Sequence, residues 1–312
     1  MKVTLDLTDL VAKGRLTKDE ADKLARLGAE DTGSLGSNIL LAFGTVAVAL
    51  GGGFLFPTAQ SVVVMGVVLF VLGLGLIVNK AAKWSVFAQF CITLGALGIV
   101  GGVSYLSNGS VLVSAGLTAG LAVAAVLAQS GLLAALTILE LSVVLGAGTA
   151  YWHASYFLGV DRPAVTIVAL AVVTLALFFI SLRVPSAHER VCIIAARTAI
   201  LMINLAFLIG SLFGDSTFGA QGVNLSAATF SIVWALLLVG VGVWGIYANR
   251  RWVVNAAAVF GALHFYTQWF EYLGPNPLSV LGGGILLLVF GLLLRWINGR
   301  IYRLRAPAVA AT

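Results

Sequence analysis

Between Ile39 and Ile297 the chain consists of ten apolar stretches, each long enough to cross a bilayer, joined by short polar connections. A helix needs about 20 apolar residues to traverse the hydrocarbon. The stretches fall near 39–56, 61–78, 85–106, 110–128, 131–152, 164–182, 191–213, 226–247, 252–272 and 277–297. Hydrophobic residues make up 60% of the chain and charged residues only 10%, whereas about a quarter of an ordinary soluble domain is charged. A water-soluble core could not absorb this apolar surface. The expected fold is all-α, a polytopic transmembrane helical bundle of about ten spans with a short N-terminal cytoplasmic helical hairpin. Only Gln129, Ser130 and Gly131 divide the fourth and fifth spans, and a re-entrant pair satisfies the same pattern.

Orientation follows from the cations, because Lys and Arg in short loops resist translocation. With the N-terminus cytoplasmic, Lys80, Lys83, Arg183, Arg190, Arg250, Arg251, Arg295, Arg300, Arg303 and Arg305 are cytoplasmic too, and Arg162 alone faces out. Both termini are then inside, and the localisation is the cell membrane, inner or plasma. The net charge of +6 is a topology signal, and the partner it implies is the lipid bilayer with its anionic headgroups. The basic residues are scattered over separate loops without aromatic interleaving, so nucleic acid is not a partner. No cleavable signal is apparent ahead of the first span, which reads as a signal anchor. Cys91 and Cys192 share no metal or redox spacing and read as packing residues.

Residues 1–37 differ in kind from the membrane domain at 38–298 and the basic cytoplasmic tail at 299–312. Leu5, Leu7, Leu10 and Val11 supply an apolar stripe that Gly14 can end in a left-handed cap. Thr17-Lys18-Asp19-Glu20 matches a capping box, Ala21, Leu24 and Leu27 continue the pattern, and Gly28 is placed to stop this second helix. Gly33, Ser34, Gly36 and Ser37 read as a flexible linker. A hairpin with so small a core needs support, so residues 4–28 are expected to pack on the membrane domain, on a second copy of the chain or on a cytoplasmic protein. The bland alternative is a solvated leader.

The leader pattern Leu-x-x-Gly-x-(Ile/Leu)-(Ser/Thr)-x-(Asp/Glu)-(Glu/Gln)-Ala, here Leu10 to Ala21, precedes a long run of spans. Together with His264-Phe265-Tyr266-Thr267-Gln268-Trp269-Phe270-Glu271 before a final span and a basic tail, it resembles the predicted membrane proteins of the domain of unknown function 2157 family. The resemblance covers the layout of the whole chain. That family has no established activity, so the resemblance implies an integral membrane protein and no catalytic residue.

An ionisable side chain in hydrocarbon costs several kcal/mol, roughly 2.5–3.5 on insertion scales, and calls for an explanation. Glu140 lies about 14 Å into the fifth span and Arg197 about 9 Å into the seventh from the same side, at ~1.5 Å per residue. They can pair, which would lower the cost of both charges. Otherwise Arg197 snorkels to the interface while Glu140 is protonated. Asn204 extends a polar stripe along the seventh span or serves as an interhelical hydrogen bond. His264, Gln268 and Glu271 share one face of the ninth span, which could line a proton or solute path. Alternatively, they belong to an interfacial belt with Phe265, Tyr266, Trp269, Phe270 and Tyr272. No His or Cys cluster has metal-ligand spacing, and no cofactor is expected.

Glycine pairs at Gly98/Gly102, Gly116/Gly120 and Gly210/Gly214 are expected to let helices approach closely in lipid. Gly146-Ala147, Tyr151 and Leu158-Gly159 also match Gly261-Ala262, Tyr266 and Leu273-Gly274, as a parallel four-span duplication would require. Two functions compete. One is transport of a small solute, with proton coupling, through polar groups of the fifth, seventh and ninth spans; ten spans in this length is also the layout of the drug/metabolite transporter superfamily, a similarity of span count alone. The other is an anchor, sensor or scaffold whose head recruits a cytoplasmic partner. No nucleophile or metal set supports catalysis.

Overall fold

The computed structural model describes residues 10–11, 14–79, 84–152, 155–215 and 225–303. Leu5, Leu7, Lys80, Lys83, Arg305 and most of the 299–312 tail lie outside the described residues. The chain divides into two compact units, residues 1–144 with 179–195 and residues 145–178 with 196–312.

In the first unit, Leu10 and Val11 are helical and Gly14, at φ +65°, ends that turn. Gly14 N–H donates to Val11 O at 3.0 Å and Arg15 N–H to Leu10 O at 2.9 Å, the paired bonds of a Schellman cap. Helix α1 (Lys18–Leu55) starts three residues later. Glu20 N–H donates to Thr17 Oγ1 at 3.3 Å and Thr17 N–H to Glu20 Oε2 at 3.0 Å, so the capping box is formed. These bonds from the Thr17 backbone and side chain hold the Glu20 carboxyl below the usual glutamate range.

Gly28 does not stop this helix, and 33–37 is not a linker: α1 runs unbroken for 38 residues, about 57 Å at ~1.5 Å per residue. An interior glycine costs only about 1 kcal/mol against alanine. The good helix formers around Gly28 and the apolar segment downstream carry the helix through it, because each added residue closes another backbone bond once a nucleus exists. Gly14, by contrast, takes up a left-handed conformation and a new N-cap follows it.

Helices α2 (Ala59–Val78), α3 (Ser85–Leu106), α4 (Val111–Leu127) and α5 (Gly131–Val144) complete the run. The contact between α2 and α3 is made by glycines. A Cβ placed on Gly95 would lie 2.5 Å from Phe70 N and 2.6 Å from Gly66 O, and one on Gly73 2.7 Å from Ala88 O. Gly98 and Gly102 belong to the same seam, as expected. Gly116 and Gly120 do not form such a contact, since a Cβ on either meets nothing within 4 Å. Gly210 faces the Phe230 ring, and Gly214 is a turn residue at φ +71°.

The fifth apolar stretch departs from its expected form. Only 131–144 is helical, about 21 Å long at ~1.5 Å per residue and short of the ~30 Å hydrocarbon. In the second unit, Gly146 takes φ +97° and strand β1 (Ala147–Trp152) pairs antiparallel with β2 (Ser155–Val160), from Ala147 opposite Val160 to Trp152 opposite Ser155. Thr149, Tyr151 and Trp152 favour an extended chain, and the ladder pairs the facing backbone groups of the two strands. The matched segment 261–274 is helical up to Leu273, so the proposed duplication pairs a β-hairpin with a helix and does not hold.

Helices α6 (Pro163–Ser181), α7 (Ser186–Phe213), α8 (Ala227–Tyr247), α9 (Arg251–Leu273) and α10 (Pro277–Arg303) follow. The N-terminus of α6 is tied down by Ala164 N–H donating to Asp215 Oδ2 at 3.0 Å. Asn276 caps α10, its Oδ1 accepting from Ser279 N–H at 2.8 Å, with Pro277 at the first helical position, where a missing N–H costs nothing. Ala164, Phe207, Phe230, Trp234 and Phe260 form the core of this unit.

Among the described residues, five helices are long and apolar enough to cross a membrane: α2, α3, α6, α7 and α8. Helices α4 and α5 are shorter, at 17 and 14 residues, so the ten stretches do not all reach full crossing length. Large apolar side chains are exposed in both units, Phe54 at 84% and Leu112 at 83% in the first and Leu288 at 70% in the second, an arrangement suited to an apolar surrounding rather than to water.

Candidate functional site

Asn204 and His264 of the second unit meet at one tryptophan. Trp234, seven residues into α8, is 1% exposed, and an indole N–H buried in apolar surroundings needs an acceptor. It finds Asn204 of α7: Trp234 Nε1–H donates to Asn204 Oδ1 at 2.9 Å, while Asn204 Nδ2–H donates to Ile200 O at 2.8 Å. Phe207 lies parallel to the indole at 6.2 Å between centroids, and the His264 imidazole of α9 meets it edge-on at 4.8 Å. Asn204 and His264 each sit about 14 Å from the C-terminal ends of α7 and α9, and Trp234 about 10 Å from the start of α8, at ~1.5 Å per residue.

His264 and Gln268 stand one turn apart on α9. His264 Nδ1 and Gln268 Nε2 are both buried and neither has a hydrogen-bond partner. Imidazole Nδ1 can donate or accept, according to the tautomer. Glu271, a turn further on, is exposed and belongs to the end of the helix.

Arg197 sits nearer the start of α9 than Asn204. It is exposed, with its guanidinium carbon 4.9 Å from the centroid of the Trp252 ring, a cation–π arrangement. Trp252 is the second residue of α9, so Arg197 rests at a helix-end aromatic residue. Between Trp252 and Trp234 lies a cavity of about 280 Å³ walled by Asn204, Phe207, Trp234, Trp244, Trp252 and Phe260.

Glu140 lies in the first unit. It is 6% exposed, and its Oε1 is buried without a hydrogen-bond partner. Glu140 belongs to the first unit and Arg197 to the second, where it rests on Trp252.

Sequence reasoning named Asn204, His264 and Gln268 but missed Trp234 and Asp215. For Trp234 a signal existed: a tryptophan in mid-span carries a donor that lipid cannot satisfy. Asp215 is unexceptional as sequence and gains its role only from a long-range contact. No family model matches the chain, and no curated protein or solved structure is significantly similar to it.

Proposed function

We propose that the protein is a multi-pass protein of the cell membrane, with both termini cytoplasmic, whose second unit moves a small solute past Trp234, with proton coupling through His264. The observation that carries this is the pair of buried polar atoms on α9, His264 Nδ1 and Gln268 Nε2, left without partners beside the Trp234–Asn204 bond. Buried polar groups are nearly always hydrogen-bonded, and two unpaired polar atoms in an apolar core call for a polar partner. Ten crossings give the cytoplasmic termini. Treating α4 and α5 as a re-entrant pair removes two crossings at once and leaves that parity unchanged. The resemblance to the domain of unknown function 2157 family belongs to the same proposal.

The test is flux in proteoliposomes. A panel of small solutes is offered under an imposed pH gradient, and the responding solute is followed in His264→Phe and Gln268→Leu. Both variants should retain the folded state and lose pH-driven uptake. Uptake that keeps its pH dependence in His264→Phe overturns the coupling, and a panel without any response overturns transport.

The length of α1 favours a second reading. Its residues 18–38 precede the first apolar stretch and extend about 31 Å at ~1.5 Å per residue, as one helix with the segment that enters the bilayer. A capped stalk of this kind suits recruitment of a cytoplasmic protein or a second copy of the chain, and crosslinking at Lys18 and Lys23 in intact cells tests it.

A further inference from the structure

The cavity of about 280 Å³ between Trp234 and Trp252 is a groove open along one side, since its lining residues Leu237, Val241 and Trp244 of α8 are exposed. Its deep end makes no polar demand on an occupant, because Trp234 Nε1–H and Asn204 Oδ1 satisfy each other. From Trp234 to Trp244 the groove follows α8 for about 15 Å at ~1.5 Å per residue. That is half of the ~30 Å hydrocarbon, the depth of one leaflet.

Neither Arg197 nor Arg250 lines the groove; both stand one turn beyond its shallow end. On α7 the lining residues Ile200 and Asn204 follow Arg197 at i+3 and i+7, so the three share a helix face. On α9 the lining residues Val253 and Ala257 follow Arg250 at the same spacings. The Arg250 carbonyl accepts from Val253 and Val254 N–H at 2.9 and 3.2 Å and so begins the first turn. Both arginines are exposed. Arg197 lies against the Trp252 ring, a stacking that engages the face of the guanidinium and not its edge. The acids of the second unit are Asp161, Asp215 and Glu271. They lie ahead of α6, after α7 and in the last turn of α9, so none of them offsets the two cations.

An apolar groove alone accepts the chain of any lipid, and the arginines beyond its end select among headgroups. A zwitterionic head brings a cation of its own to that end. An anionic head leaves its phosphate unopposed, and Arg binds phosphate through paired N–H···O bonds. Basic positions between membrane helices suit such heads, and the exposed Trp244 and Tyr247 are residue types of the headgroup boundary.

We infer that the groove between Trp234 and Trp252 holds one acyl chain of an anionic phospholipid, whose phosphate lies outside the groove against Arg197 and Arg250. The assignment needs only that the second unit lies in a bilayer, not that it moves a solute.

The test uses the full chain in phosphatidylcholine nanodiscs, to which phosphatidylglycerol or phosphatidylcholine with dibrominated acyl chains is added in increasing mole fraction. Bromine quenches tryptophan fluorescence on contact, so quenching reports a chain beside Trp234, Trp244 and Trp252. Half-maximal quenching should need about tenfold less phosphatidylglycerol than phosphatidylcholine, as expected for one charge-assisted hydrogen bond. Arg197→Gln combined with Arg250→Gln should bring phosphatidylglycerol to the phosphatidylcholine value, and Lys at both positions should keep part of the preference. Arg295→Gln, at another exposed cation, should keep all of it. Val241→Phe, which fills the groove from an exposed position, should reduce quenching by phosphatidylglycerol without lowering the melting temperature.

Equal quenching by the two lipids assigns the groove to bulk lipid and overturns the proposal. A preference that survives the double Gln change, or falls equally in Arg295→Gln, assigns the selectivity to surface charge at large and also overturns it. So does quenching unaltered in Val241→Phe. Absence of quenching overturns it too, and a dimeric particle in that case assigns the groove to a second copy of the chain. Because binding is read without a gradient, lipid preference without solute flux overturns transport alone, and flux without lipid preference overturns this assignment alone.

Discussion

Replacing Gly95 with Ala should separate the two helices that Gly95 holds in contact. Its new methyl group would lie 2.5 Å from Phe70 N, 2.6 Å from Gly66 O and 2.9 Å from Phe70 Cα. All three are backbone atoms, so no side-chain rotamer can relieve the overlap. Ordinary contact begins near 3.4 Å, and α2 and α3 must therefore part by roughly 0.9 Å at this point. Overpacking of this kind costs about 1–3 kcal/mol, and the upper part of that range applies where rigid backbone is struck. The gain in helix propensity on going from Gly to Ala offsets about 1 kcal/mol, which leaves a net loss of about 1–2 kcal/mol. Gly101→Ala in the same helix is the control: nothing lies within 4 Å of its Cβ, so it keeps the propensity gain and should be neutral or stabilising by up to about 1 kcal/mol. Reversible unfolding in bicelles, for instance by steric trapping, measures both. If Gly95→Ala proves as stable as Gly101→Ala, the close contact between α2 and α3 is refuted.

Trp234→Phe should cost about 1–3 kcal/mol by leaving Asn204 Oδ1 without its donor, and Asn204→Leu in the same background should recover part of the loss, so that thermal melts of the four proteins show coupling above about 0.5 kcal/mol. The Glu20 carboxyl is held below its ordinary range by Thr17, so its support for the start of α1 is present above that range and is lost as pH falls through the lowered value; hydrogen exchange at residues 18–21 should quicken at acid pH in the parent protein and show no such dependence in Thr17→Ala. Cysteines placed at the exposed positions Arg162 and Pro275 should react with an impermeant maleimide from outside, and those at the exposed Arg183 and Arg250 only after permeabilisation; labelling of all four from one side overturns the proposed topology.

Features that depend on a few adjacent residues were readable from the sequence. The Gly14 cap and the Thr17–Glu20 box are made from neighbours within five residues, and the helices follow the apolar stretches because an apolar surrounding forces backbone groups to satisfy one another within the segment. Asn204, His264 and Gln268 could be singled out because polar side chains are conspicuous in such stretches. Gly28 shows the limit: the same residue type that ends a helix at Gly14 is carried through at Gly28, because cooperative helix on both sides outweighs the propensity of a single glycine. The turn into β1 at Gly146 could not be told from a continuing span by hydropathy, since a short apolar run reads alike in either form. Tertiary structure alone decided that Gly95 meets the Phe70 backbone while Gly116 meets nothing, that Trp234 engages Asn204, and that Asp215 ties down the start of α6. Each of these is a choice among partners far apart in the chain, and such choices are made by which helix faces come into contact, a property that no local window of residues contains.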